Sequence, residues 1–214
     1  MEKRFQSIRK QYVKGALSEI LVDNNPLRQL EFWLNEAILA ECIEPTAMVL
    51  STVGSDMMPS SRVVLMKGLD LTGIVFYTNY ESLKGKQLNE NPQASLLFFW
   101  PDMERQVRVQ GTVRKVTDQE SDEYFESRPE ASRISAIVSP QSSEIIDREW
   151  LIERSKSAFE MQMGSQPGNR PSNWGGYRLI PNYFEFWQGR EDRLHDRIVY
   201  QYVDNYWRIF RLAP

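Results

Sequence analysis

Residues 187–197 read WQGREDRLHDR and contain the only histidine of the chain. His195 sits among three arginines (Arg190, Arg193, Arg197) and three acids (Glu191, Asp192, Asp196). An imidazole titrates near neutral pH and can give or take a proton there. Guanidinium groups beside it can hold an anion. More basic residues recur at the ends of candidate strands. Arg62 and Lys67 bracket one strand, Lys84 follows another, Arg105 and Arg108 lie around Gln106, and Arg128 precedes a proline. In a chain of net charge −3, cations gathered from several strands would suit one or two phosphates. The alternative is ordinary charge on solvated strand ends.

Other chemistries are excluded by counting. One His and one Cys cannot build a zinc site of the usual ligand types. There is no EF-hand pattern, no Gly-rich phosphate loop ending in Gly-Lys-Ser/Thr, and no GxGxxG after a strand, which argues against ATP and a Rossmann-bound dinucleotide. No GxSxG elbow supports a serine nucleophile. Cys42 lies in AECIEP, where Glu41 and Glu44 are expected to raise its pKa rather than activate it. With that single cysteine no intrachain disulfide can form, which fits a reducing compartment. The net charge gives no general attraction to nucleic acid or anionic membrane. The N-terminal MEKRFQSIRKQYVKG lacks the apolar segment of a secretory signal. ASLLFFW (94–100) is far too short to span a bilayer. These features together read as a cytoplasmic protein.

The elements that must position these residues follow from patterning. Residues 1–24 are polar with scattered aliphatics and read as an N-terminal arm, mobile or briefly helical. A single domain then covers 25–214. Asn25 can cap and Pro26 suits the first position of a helix in which Leu27, Leu30, Leu34, Ala37 and Ile38 repeat at helical spacing; Phe32 and Trp33 are expected to pack there. Strands are expected at 46–53, 61–67, 73–79, 94–100 and 106–116, the last with Val107, Val109 and Val113 on one face. Short connections imply an antiparallel meander or barrel. Thr117 to Glu120 form a capping box opening a helix through Tyr124 and Phe125, and 148–162 reads as another helix. GSQPGNRPSNWGG (164–176) reads as a loop. YRLI, YFEFWQ and RIVYQYV are final strand candidates, and NYWRIFRL returns after an Asp-Asn turn.

FEFWQGREDRLHDR (184–197) resembles the signature of the pyridoxine/pyridoxamine 5′-phosphate oxidases. RVVLMK (62–67), FYTN (76–79), ERQVRVQG (104–111), YFESRP (124–129), SPQS (139–142), WGGYR (174–178) and RLAP (211–214) resemble further family segments in family order. The resemblance runs from about Arg9 to Pro214. It implies a mainly β fold with N-terminal and central helices, the antiparallel Greek-key FMN-binding split barrel. It also implies a homodimer with FMN between subunits, and oxidation of pyridoxine and pyridoxamine 5′-phosphates to pyridoxal 5′-phosphate. Hydride would pass from substrate C4′ to flavin N5, and dioxygen would then yield hydrogen peroxide.

The resemblance also implies roles. FMN would be held by the strand Arg62, Val63, Val64, Leu65, Met66 and Lys67. Tyr77, Thr78, Lys84 and Gln106 would contact it, as would Gln141 and Ser142 from the partner region, with Trp187 and Arg197 completing the flavin site. Tyr124, Arg128 and Ser132 would bind the substrate phosphate with Lys67; Tyr124 and Arg128 are four apart, one face of a helix. Arg193, Leu194 and His195 would meet the substrate ring. Arg9, Lys10, Gln11 and Tyr12 would close over it. Residues two apart on a strand face the same side, so one strand face is expected to present Arg193, His195 and Arg197, with Asp196 turned away into a salt bridge. The chain departs from the pattern at Leu83, where the family often has Arg, and at Ser135-Ala136-Ile137, where it often has Gly-Ala-Trp. Two other functions remain in view: a non-catalytic barrel that holds FMN or pyridoxal phosphate, and a split-barrel flavin enzyme with another substrate.

Overall fold

The computed structural model describes residues 11–162 and 169–214. Helix α1 (Pro26–Leu39) begins where Asn25 accepts a hydrogen bond from the Leu27 amide, with Pro26 in the first turn. Its buried face is Leu27, Leu30, Trp33, Leu34 and Ala37. Phe32, expected to pack, is instead 58% exposed. It follows Glu31 around the helix onto the polar side.

The strands are β1 (Ala47–Val53), β2 (Pro59–Leu65), β3 (Gly68–Asp70), β4 (Gly73–Asn79), β5 (Gln93–Trp100), β6 (Arg105–Lys115), β7 (Trp174–Gln188), β8 (Asp196–Val203) and β9 (Tyr206–Arg211). They form one antiparallel sheet ordered β2-β1-β5-β6-β7-β4-β3, with β8 and β9 added on β7. The order is not a meander. β1 takes β5 as its second partner, and β4 crosses to the distant β7. The inward faces share one core of Leu50, Phe76, Phe98, Val107, Val109, Phe184 and Phe186, among others.

β7 creates the split. One edge pairs with β6 along its length. The other pairs with β4 through Leu179, then with β8 from Tyr183. Ile180, Pro181 and Asn182 lie in the gap. The proline divides the sequence pattern into YRLI and YFEFWQ, yet the strand runs through. A proline inside a sheet is tolerated where no ladder bond is required and at bulges, and both conditions hold: the register with β6 shifts at Gln110/Gly111, opposite this point. Gly111 permits the approach, because a Cβ there would collide with the Ile180 carbonyl.

Helix α2 (Leu83–Glu90) precedes β5. Helices α3 (Asp118–Ser127), α4 (Glu130–Val138) and α5 (Arg148–Gln162) separate β6 from β7. The Thr117/Glu120 capping box is formed. α2 and α4 are additions to the elements that patterning predicts. α2 has only Leu88 as a buried aliphatic, although Ser82 at its N-cap was a readable signal. In α4, Ile134 and Val138 at helical spacing were also readable. The described part of the arm is docked rather than loose: Leu17 joins the core cluster. No helix among the described residues is long and apolar enough to cross a membrane. Cys42 is buried, and its thiol is pushed up by that burial and then by Asp102; the direction matches expectation, but Glu41 and Glu44 are not the cause.

Candidate functional site

A cleft of about 630 Å³ opens between β2, the end of β4 and the helices α2 to α4. It gathers Arg62, Val63, Val64, Leu65 and Lys67 from β2 and the residues after it, and Tyr77 and Thr78 from β4. Lys84, Tyr124, Arg128, Gln141 and Ser142 complete the expected set. Met66 does not line it; its side chain is in the core. Gln141 and Ser142, expected from the partner side, belong to the same chain's cleft. The segment after α4 folds back over β4, where Gln141 Oε1 accepts from Thr78 Oγ1 at 3.0 Å. Ser132 lies half-buried on the first turn of α4 and is not among the cleft-lining residues.

Local structure aims each group. Arg62 donates to Thr52 Oγ1 at 2.6 Å and to the Leu50 carbonyl at 3.3 Å, and Gln87 on α2 receives a further bond from it. Ser82 caps α2 by accepting from Gly85 N at 3.3 Å, which sets Lys84 in the buried first turn, 7% exposed. Burial, and then the charge of Arg62, bring Lys84 down from 10.5 to about 8. A cation at a helix N-terminus also opposes the helix dipole. Helix α3 stops before Pro129, so Arg128 is not on its face but in the extended cap position. It still reaches the cleft beside Tyr124. The Arg128 guanidinium lies 4.7 Å over the Trp174 ring, its Nη1 is buried with no hydrogen-bond partner, and burial lowers its pKa. Tyr124 stacks on Tyr77 at 3.9 Å and Tyr77 on Trp174 at 5.5 Å. Trp174, in the sequence only part of the WGGYR segment, is a wall of the site.

A second group lies elsewhere on the chain. Trp187 pairs with Gln106 on β6 and Arg197 on β8. Trp187 is 4.7 Å from the His195 ring, and Tyr12 packs edge-on to both. Arg193 and His195 are not on the strand that carries Arg197. β8 begins at Asp196, and Glu191–Arg193 form a 3-10 turn in which Asp192 and Arg193 take positive φ, 53° and 61°. Two successive left-handed residues reverse the chain and end the strand alternation. Asp196 does turn into salt bridges, with Arg190 and Arg211. His195 Nδ1 accepts the Arg190 amide at 3.1 Å, which places the proton of the neutral ring on Nε2. Burial, and then Arg193, lower the His195 pKa and favour that neutral ring. Arg197 is held by Glu185 at 2.9 Å and by the Ala213 carbonyl at 2.8 Å. Leu194 is exposed, as are Gln11 and Arg193. Arg9 and Lys10 lie outside the described residues.

The two groups lie toward opposite ends of β7. Tyr77 pairs with Gly176 near the start of β7, and Trp187 lies near its end. The eleven intervening steps correspond to a contour of roughly 36 Å at strand rise.

Residues 34–159 match the family described as pyridoxamine 5′-phosphate oxidase, and residues 174–214 match the pyridoxine 5′-phosphate oxidase C-terminal dimerisation region. The chain belongs to the pyridoxine/pyridoxamine 5′-phosphate oxidase family. It is 51% identical to the pyridoxine/pyridoxamine 5′-phosphate oxidase of Polynucleobacter asymbioticus over 97% of each chain. It is 49% identical to that of Trichormus variabilis over the full length of both. Among solved structures it is similar to PhzG from Burkholderia lata 383, in complex with tetrahydrophenazine-1-carboxylic acid. That match has a TM-score of 0.88 at 32% identity and covers 93% of this chain and 98% of the other. An FMN-binding protein from Nostoc punctiforme shares the fold, with a TM-score of 0.65 at 18% identity over 93% of this chain and 99% of that one.

Proposed function

We propose that this chain is an FMN-dependent oxidase of pyridoxine 5′-phosphate and pyridoxamine 5′-phosphate, forming pyridoxal 5′-phosphate and acting as a homodimer. The charge of the cleft carries the proposal. Arg62, Lys67, Lys84 and Arg128 all line it, and among the described residues no carboxylate does. Lys84 is buried and Arg62 and Arg128 are half-buried, and cations withdrawn from water without counter-ions are costly unless an anion joins them. The unpartnered Nη1 of Arg128 and the depressed Lys84 are donors of the kind a phosphate dianion satisfies. The residues therefore fit FMN and a phosphorylated substrate together.

Arg62, Lys84, Thr78, Gln141 and Ser142 would hold FMN, with the exposed aliphatic Val63 and Leu65 offering it apolar surface. FMN, when bound, supplies the acceptor for a hydride from substrate C4′, with dioxygen as the final oxidant and hydrogen peroxide as its product. Arg128 and Tyr124, with Lys67, would bind the substrate phosphate as a guanidinium fork, a hydroxyl and a point charge, and Ser132, outside the cleft lining, is left out of that set. The second group completes the site from the other copy of the chain. A contour of about 36 Å along β7 argues against one chain supplying both groups to one ligand, and the match of 174–214 to a dimerisation region supports two copies. In that arrangement Trp187, Gln106 and Arg197 close on the flavin side. His195 donates from Nε2 to an oxygen of the substrate ring, and Arg193 adds charge to the same face. Tyr12 helps to exclude water.

The test is the visible spectrum of the FMN-loaded protein on anaerobic addition of pyridoxine 5′-phosphate. Bleaching that air reverses is expected. A bound flavin whose spectrum does not change would overturn the oxidase reading in favour of a binding protein or another substrate.

A further inference from the structure

The barrel gives no reason for Glu104 to be where it is. It is 2% exposed, it takes a positive φ of 55° just before β6, and its carboxylate faces the arm. Oε2 accepts two consecutive backbone amides, Val13 N at 2.8 Å and Lys14 N at 3.0 Å. The Glu104 carbonyl accepts Gly189 N at 2.8 Å and Gln188 Nε2 at 3.2 Å. One residue thus joins the start of β6, the end of β7 and the arm. Farther along, Arg190 Nη1 donates to the Gly15 carbonyl at 2.8 Å, and Leu17 N donates to Asp196 at 3.0 Å.

Gly189 is the second observation. A Cβ there would lie 2.8 Å from Tyr12 Cγ and 2.9 Å from Tyr12 Cβ. The missing side chain is the space the tyrosine occupies. From that space the Tyr12 ring reaches Trp187 at 5.8 Å and His195 at 5.6 Å.

We infer that Glu104 and Gly189 are positioning residues which seat the arm segment 12–17 so that Tyr12 is walled against Trp187 and His195. The inference rests on the proposed oxidase reading for its effect on substrate, but not for its effect on the arm. A buried carboxylate binding two amides is a charge-assisted pair of bonds. Its removal takes the acceptor from both amides and the anchor of the segment to the start of β6. The arm then loses its register over the histidine, while the cleft, on the far end of β7, is untouched.

The experiment uses the full-length FMN-loaded protein with three substitutions, Glu104→Ala, Glu104→Gln and Gly189→Ala. It reads KM and kcat for pyridoxine 5′-phosphate and the rate of tryptic cleavage at Lys14–Gly15, followed by mass. Glu104→Ala is expected to raise KM about tenfold or more with a smaller change in kcat, to speed cleavage at Lys14–Gly15 several-fold, and to keep its flavin. Glu104→Gln retains an amide oxygen as acceptor and recovers part of both effects. Gly189→Ala displaces the ring but not the latch, so KM rises while cleavage stays at the wild-type rate. Unchanged KM in Gly189→Ala, or unchanged cleavage in Glu104→Ala, would overturn the inference. If Glu104→Ala does not fold, the Gln and Gly189 variants decide by the same criteria. A wild-type protein that binds flavin but does not oxidise the substrate would refute the oxidase reading alone, and the cleavage rates would still decide the latch.

Discussion

Lys84 offers the sharpest test of the cleft. Its pKa of about 8 against an ordinary 10.5 corresponds to about 3 kcal/mol against the charged form. The sign follows from linkage. Between about pH 8 and 10.5 the folded protein without ligand has lost a proton that the unfolded chain keeps, so this group makes the empty protein more stable as pH rises through that window. A bound phosphate dianion reverses the preference and calls the proton back. FMN affinity should therefore be nearly constant up to about pH 8, then fall by up to about tenfold per pH unit as binding becomes coupled to proton uptake. Flavin fluorescence quenching at pH 7, 8 and 9 measures the affinity, and proton uptake in weakly buffered solution at pH 9 measures the coupling. Lys84→Met should bind FMN about ten- to a hundredfold more weakly at pH 7 and lose the slope. Equal wild-type affinity at pH 7 and 9, or a Met variant that retains the slope, would refute the assignment of a buried uncompensated ammonium to this site.

Arg128→Ala should raise KM for pyridoxine 5′-phosphate by about ten- to a hundredfold through loss of a charge-assisted bond; steady-state kinetics with the phosphorylated substrate checks this, and an unchanged KM would remove Arg128 from the phosphate site. Because the His195 pKa is lowered and the ring is held neutral, activity at saturating FMN should show an acid limb with its inflection under 6.5. His195→Asn should abolish that limb in a pH–rate profile. Gly111→Ala should destabilise the fold by about 2–4 kcal/mol, since its Cβ must displace backbone at the bulge, read as a lower urea midpoint.

Periodicity and caps made α1, α3 and the core face of β6 legible, because their signals are local. Asn25-Pro26, the Thr117/Glu120 box and the alternation of Val107 and Val109 each need only their neighbours. What failed was set at long range. Pro181 breaks a strand pattern unless one knows that the sheet divides there. The REDR turn looks like strand until two left-handed residues interrupt it, and nothing in their types requires that conformation. Met66 was grouped with its neighbours by motif, whereas the end of β2 turns it inward. The cleft residues were legible as a set through the family motifs, although their separation from Trp187 and His195 on the chain was not. Glu104 carried no readable signal, since the amides its carboxylate accepts lie some ninety positions away.

The single strand β7 ends in two different places, with Trp174 in the phosphate cleft and Trp187 beside His195. In the proposed dimer each β7 therefore spans two sites and belongs wholly to neither. Two impaired variants, one damaged at Arg128 and one at His195, would then partly restore each other when mixed. Each hybrid would carry both injuries in one site and neither in the other.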